Sequence, residues 1–356
     1  SEQVALPIDG DCQLLYFQRD VLESDDFANS FAAETGMALG VPQGWDELLG
    51  IAKWWNGRGG QGVALNLAPA GAGVMPFLGM AASYATGPSQ LSEFWFDRAT
   101  FEPQIASTRH VAALNDFTQL VKTGPADQST WHVPDAWNAF LNGDALFTIA
   151  GPDLLTAAID WQHSRRHLIG VARLPGAPGT SGALPSGIVA GSFAGNALGP
   201  CWGGVVRSTA QRPNETLSVL SIFSETAFQR DRGSSVDDGI DPARLLQLPG
   251  SLAEDESGSL EHYIDAGFSS EQASEFALAI VETLSAAIQL PYLRIPGAVD
   301  YLTALERRVW AYLNGEISHA EEALTLASED FAALSLVHGV ERQQELYEVS
   351  TMYDEL

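Results

Sequence analysis

Short apolar runs alternate along this chain with segments whose apolar residues recur at helical spacing. The runs are DCQLLYFQRDVL (11–22), GVALNL (62–67), ALFTIAG (145–151), HLIGVARLP (167–175) and CWGGVVRS (201–208). Helical patterns fall at 27–38, 41–55, 107–123, 135–144, 214–230, 269–289, 298–315 and 318–336. In the second of these, Trp45, Leu48, Leu49, Ala52 and Trp55 share one face, so the tryptophans are read first as core. Strands separated by helices restrict the chain to an α/β architecture built on βαβ units. The Gly/Pro/Ser-rich span 176–187 reads as a surface loop.

Charge narrows the function. The 45 acidic residues outnumber the 18 basic ones and leave a net charge of −27. A nucleic-acid partner requires a basic stripe, so that class is excluded. No run reaches the roughly 20 apolar residues of a membrane span, and no signal peptide is visible. Neither CxxC nor a histidine cluster occurs, so no metal or other cofactor is expected. The DDGID stretch (237–241) lacks the alternating carboxylates of a calcium loop. Cys12 and Cys201 allow one disulfide or two free thiols, and spacing does not choose between them.

No nucleophile elbow, phosphate loop, zincin motif or dinucleotide fingerprint occurs in a suitable context. Asp9 and Asp11 share a face if the segment is a strand, which is the minimum for a glycosidase carboxylate pair. Nothing else marks a hydrolase. The expectation is a non-catalytic protein.

Seven stretches, in order, resemble the extracellular solute-binding proteins of carbohydrate ABC transporters, the maltose-binding-protein-like class. ALPIDGDCQLLYFQRDVLE is similar to the family's crossover strand, and VPQGWDELLGIAKWW to the helix that follows it. AFLNGDALFTIAGPDLL resembles a cleft-lining helix, strand and turn; HLIGVARLPGAPG and CWGGVVRSTAQRPNETLSVLSIFSE resemble later strands. GIDPARL and LRIPGAVDYLTALERRVWAYLNGEISHAEEALTLASEDF complete the series. The resemblance implies a periplasmic-binding-protein type II-like fold, two α/β lobes joined by hinge crossover strands. It implies capture of a small sugar or polyol for the membrane subunits of an importer, in a periplasmic or extracellular setting, with anchoring through a preceding segment left open.

The same resemblance sets domain expectations. Residues 1–10 would be the first crossover, 11–198 plus 297–356 the C-terminal lobe, and 203–290 the remainder of an incomplete N-terminal lobe. Relatives carry further residues before the ALPIDGD-like strand. A preceding segment or partner polypeptide is therefore expected to complete the first lobe, and LSVLSIFSETAF and FALAIVETLSAAI are expected to lack a sheet to cover. The alternative reading is a docking subunit of a larger periplasmic complex with the sugar site lost.

Candidate ligand-binding residues follow. Asp9 and Asp11 lie at the first crossover, against a bland reading as solvated turn carboxylates. Trp202 stands beside the second crossover, where it can stack on a sugar or fill the core. Asp153 follows Gly-Pro, as a ligand contact or a helix N-cap. Asp241 and Arg244 match the DPxR element, as ligand contacts or a loop brace. Tyr301, after RIPG, is a cleft aromatic or a core residue. Met75 stands where oligosaccharide-binding relatives carry aromatics, which argues for a small ligand. A Cys12–Cys201 disulfide would stiffen the hinge.

Overall fold

The computed structural model describes residues 5–69, 73–85, 92–176, 202–225, 228, 241, 258–284, 290 and 292–351. The first half runs β1 (Leu6–Asp9), β2 (Leu14–Gln18), α1 (Asp25–Thr35), α2 (Trp45–Asn56), β3 (Gln61–Ala64), α3 (Met75–Ser83), α4 (Thr108–Val121), α5 (Val133–Leu141), β4 (Ala145–Ala150), α6 (Asp153–Asp160) and β5 (Ile169–Arg173). Then come β6 (Trp202–Gly204), α7 (Pro213–Phe223), α8 (Gly258–Asp265), α9 (Ser270–Leu284), α10 (Ala298–Leu313), α11 (Ala320–His338) and α12 (Val340–Thr351).

Among the described residues, four strands form the larger sheet in the order β3-β4-β2-β5. The β3–β4 pair is parallel, and β2 runs antiparallel to both β4 and β5. Every residue of β2 is buried. Its alternation is resolved into two cores: Leu15 and Phe17 face one, Leu14 and Tyr16 the other. On the first face lie α2, α3, α4, α10 and α11 around Trp45, Phe77, Phe117, Tyr301 and Phe331. On the second lie α6, α8 and α9, with Leu154, Tyr263, Phe276 and Ile280 buried.

In that second core α9 covers β5 and β2 of the large sheet. Its apolar face explains why: Ala273, Phe276, Ala277 and Ile280 recur at helical spacing and are all buried. Polar ties hold the same interface. Buried Arg19 pairs with Glu275 of α9, and Gln272 Nε2 donates to the carbonyls of Arg166 (2.6 Å) and Ile169 (3.2 Å). The described part of that stretch, FALAIVETL, does have a sheet to cover.

The smaller sheet is the antiparallel pair β1–β6, with Leu6 opposite Gly204 and Asp9 opposite Trp202 across a register irregularity. Helix α7 rests on it at one point: a methyl on Gly204 would sit 2.5 Å from Ile8 Cδ1 and 2.6 Å from Leu220 Cδ2. None of α7 is buried, and Val205, Leu217, Val219, Ile222 and Phe223 are exposed. For this helix the expectation of missing cover holds among the described residues.

The chain leaves the small sheet and enters the large one between Asp9 and Leu14. The span 176–187 lies outside the described residues apart from Gly176.

Truncating Phe276 to alanine should lower stability by about 3–5 kcal/mol, the typical range for removing a buried aromatic ring. Urea unfolding of Phe276→Ala measures it. A change under about 1 kcal/mol would place α9 away from the sheet.

Candidate functional site

Where β1 passes into β2, four aspartates from distant parts of the chain converge. Asp9 ends β1, Asp11 follows Gly10, Asp153 opens α6, and Asp241 belongs to the GIDP stretch. A reciprocal clamp joins the first and last. The Asp241 amide donates to Asp9 Oδ1 at 2.7 Å, and the Gly10 amide donates to the Asp241 carbonyl at 3.1 Å.

The β2–β4 pairing brings in Asp153. Leu14 lies opposite Ala150, the last residue of β4, so the Gly151–Pro152 turn stands beside the start of β2. Tyr16 fixes that turn by donating from its hydroxyl to the Gly151 carbonyl (2.9 Å). The position preceding the helix is Pro152, so Asp153 is the first helical residue and not the N-cap. A carboxylate there still complements the helix dipole.

Trp202 is 64% exposed, and its indole N–H donates to Asp11 Oδ2. This fixes the ring at the edge of the cluster with most of its surface in solvent. The core reading of Trp202 is excluded by that exposure.

Burial dominates the electrostatics. Asp9 is pushed up to about 6, mainly by desolvation, with Asp11 and Asp153 adding repulsion against the lowering effect of the Asp241 amide. Desolvation likewise raises Asp11 and Asp153, and raises the 3%-exposed Asp241 well above the carboxylate range. Cys12, buried beneath the cluster, is a free thiol whose pKa is raised by burial and by the surrounding aspartates. It is a poor nucleophile in this setting. Its expected disulfide partner, Cys201, lies outside the described residues, as does Arg244.

Tyr301 is not at this site. Its ring is fully buried against Phe96 and Phe331, and its hydroxyl bonds to Ser335 Oγ at 3.0 Å. The helical spacing of α10 turns this residue inward with Leu305 and Val309, in agreement with its core alternative and against the cleft one. Tyr16, absent from the candidates, is the residue that positions the Asp153 turn. Within LLYF it is indistinguishable from any core aromatic.

No protein-family model matches the chain, and no curated protein is detectably similar to it. Solved structures are similar in fold. Maltose-bound MalE3 of T. maritima superposes with a TM-score of 0.66 at 20% identity, over 93% of this chain and 72% of that one. An ABC transporter solute-binding protein from Agrobacterium vitis S4 with bound D-mannitol gives 0.65 at 14%, over 94% and 73%. One from Agrobacterium radiobacter K84 in complex with ribitol gives 0.62 at 15%, over 93% and 71%.

The fold is that of the sugar-binding ABC solute-binding proteins. The rest of each neighbour's length lies outside the superposition.

A raised carboxylate pKa has a defined effect on stability. Asp9 moves from its ordinary 3.8 to about 6, so the native state binds its proton more tightly than the unfolded chain. The resulting stabilisation is complete below about pH 4 and is lost as pH rises through about 6. Asp9→Asn keeps an acceptor for the Asp241 amide. It should flatten the stability profile across that window and raise the melting temperature at pH 7.5 relative to the native protein. A wild-type profile that rises from pH 4 to pH 7, unchanged by Asp9→Asn, would contradict the desolvation assigned to Asp9.

Proposed function

We propose that the protein is the solute-binding component of an ABC importer, that it captures a small carbohydrate or polyol, and that it catalyses nothing. The observation that carries this reading is the junction of Asp9, Asp11, Asp153, Asp241 and Trp202 at the passage between the two sheets. Carboxylates there accept hydrogen bonds from hydroxyls, and an exposed indole face packs against the C–H surface of a sugar. The bound maltose, mannitol and ribitol of the fold neighbours support the solute class. The family setting supports a periplasmic or extracellular location, and no described helix is long and apolar enough to cross a membrane.

One observation favours a second reading, a docking subunit in a larger assembly. Among the described residues, α7 turns Leu217, Val219, Ile222 and Phe223 to solvent, and an apolar patch of this kind marks an interaction surface. A partner polypeptide or preceding segment that completes the first lobe would cover it.

Thermal unfolding and tryptophan fluorescence, followed across a panel of monosaccharides, disaccharides and polyols, separate the two. A ligand present at 100 times its Kd adds about 2.7 kcal/mol to stability by mass action, and Trp202→Ala should weaken its binding. A flat panel together with a native mass above that of one chain would sink the transport reading.

A further inference from the structure

A second pocket, about 290 Å³ in volume, opens at the end of β2 away from the acidic junction. Gln18, Asp20, Phe27, Trp55, Gly143 and Arg165 are among its lining residues. The strand from Leu14 to Gln18 spans roughly 14 Å, so the two places are well separated. One wall is an ion pair with unused capacity. Arg165 Nη2 donates to Gln18 Oε1 and to Asp20 Oδ2, both at 2.9 Å. Among the described residues Nη1 makes no hydrogen bond, and the buried Nε has no partner. Asp20 likewise keeps Oδ1 unbonded among the described residues, with its side chain 39% exposed. Gly143 packs against the guanidinium: its φ is +84°, and a methyl there would stand 2.8 Å from Arg165 Nε.

Aromatic surface lines the same pocket. Phe27 and Trp55 are both half-buried and meet edge to face, with ring centroids 5.3 Å apart. Charge then selects the class of ligand. An anion would meet Asp20 and a chain of net charge −27, and a cation would meet Arg165. A neutral molecule with adjacent hydroxyls meets neither penalty. One hydroxyl accepts from Arg165 while its neighbour donates to Asp20, and such charge-assisted bonds are the stronger kind. The C–H surface of a sugar ring packs on aromatic side chains. The volume stands at the small end of the about 300–1,000 Å³ usual for ligand pockets, which suits one ring and not a chain of them.

We propose that this pocket is a second carbohydrate site, which binds a single neutral pyranose ring through Asp20 and Arg165 against Trp55 and Phe27. It stands apart from the junction, whatever solute the junction takes. A ring of about a dozen heavy atoms held by two polar side chains binds weakly, with a Kd of about 1–10 mM.

The indole N–H signal of Trp55 in the 15N NMR spectrum of the 356-residue chain, located by its loss in Trp55→Phe, tests the proposal. D-glucose, D-galactose and D-mannose are titrated separately, with sodium acetate and methylammonium chloride as charged probes. At least one sugar should shift the signal to saturation. Asp20→Asn and Arg165→Lys should each weaken that sugar by about tenfold, the cost of one hydrogen bond to a charged group. The Asp20 variant alters a partly exposed side chain and so keeps the test open if the other fails to fold. Trp202→Ala, at the junction, should leave the Trp55 titration unchanged. No shift by any of the three sugars at about 100 mM overturns the proposal. Saturation by acetate or methylammonium with the sugars inert overturns it in favour of a charged ligand. Sugar affinity unchanged in Asp20→Asn and Arg165→Lys overturns it as well. Loss of the Trp55 response in Trp202→Ala assigns the shift to the junction, which also overturns it and leaves the transport reading standing.

Discussion

Strand β2 is the constraint on which the rest depends. Leu14–Gln18 is hydrogen-bonded on both edges and covered on both faces, so its five residues are committed in four directions at once. A slip of one residue would exchange Leu15 and Phe17 with Leu14 and Tyr16 between two cores of different size. Polar ends fix the register further. Gln18 Nε2 donates to the Phe140 carbonyl at 2.7 Å while its Oε1 accepts from Arg165 at 2.9 Å. Tyr16, at the other end, holds the turn that carries Asp153. The strand that organises the core thereby also sets the position of the acidic junction.

The junction obeys the opposite logic from the core. Burying Leu or Phe is favourable through the area removed from water, whereas burying Asp241 and half-burying Asp9, Asp11 and Asp153 is not. Backbone amides relieve part of this at Asp9, and the indole relieves part at Asp11. Asp153 gains from its place in the first turn of α6. Asp241 has no such relief. Local unfavourability of this kind is tolerated where a site must recognise something, and it is supplied here by the stability of the two cores on either side of β2.

Much of the architecture was legible in the residues. The apolar runs at 62–67, 145–151 and 167–175 overlap β3, β4 and β5, and Trp45, Leu48 and Ala52 are core as their spacing predicts. Asp241 was marked by its GIDP context, although nothing local revealed that its carboxylate is buried. Analogy of sequence position leaves Tyr301 between cleft and core, whereas periodicity alone points Tyr301 toward Leu305 and Phe276 toward Ile280, and the buried ring of Tyr301 agrees with its core alternative. Which sheet a helix covers is a tertiary matter, decided here by the fit of Ala273, Phe276 and Ile280 to β5. Tyr16 illustrates the converse: its hydroxyl matters through a turn 135 positions away, and no window of sequence contains both.

The clamp between Asp9 and Asp241 spans 232 positions. Contacts of such separation are reached only after the entropy of closing a long loop has been overcome, and they lengthen the path to the native state. The described strands of the large sheet all lie before residue 174, but the helices that cover its two faces, α8 and α9 on one and α10 and α11 on the other, follow Asp241 in the chain. The acidic junction therefore joins the earliest strand to the middle of the chain, and the cores on either side of β2 close only with residues synthesised after both.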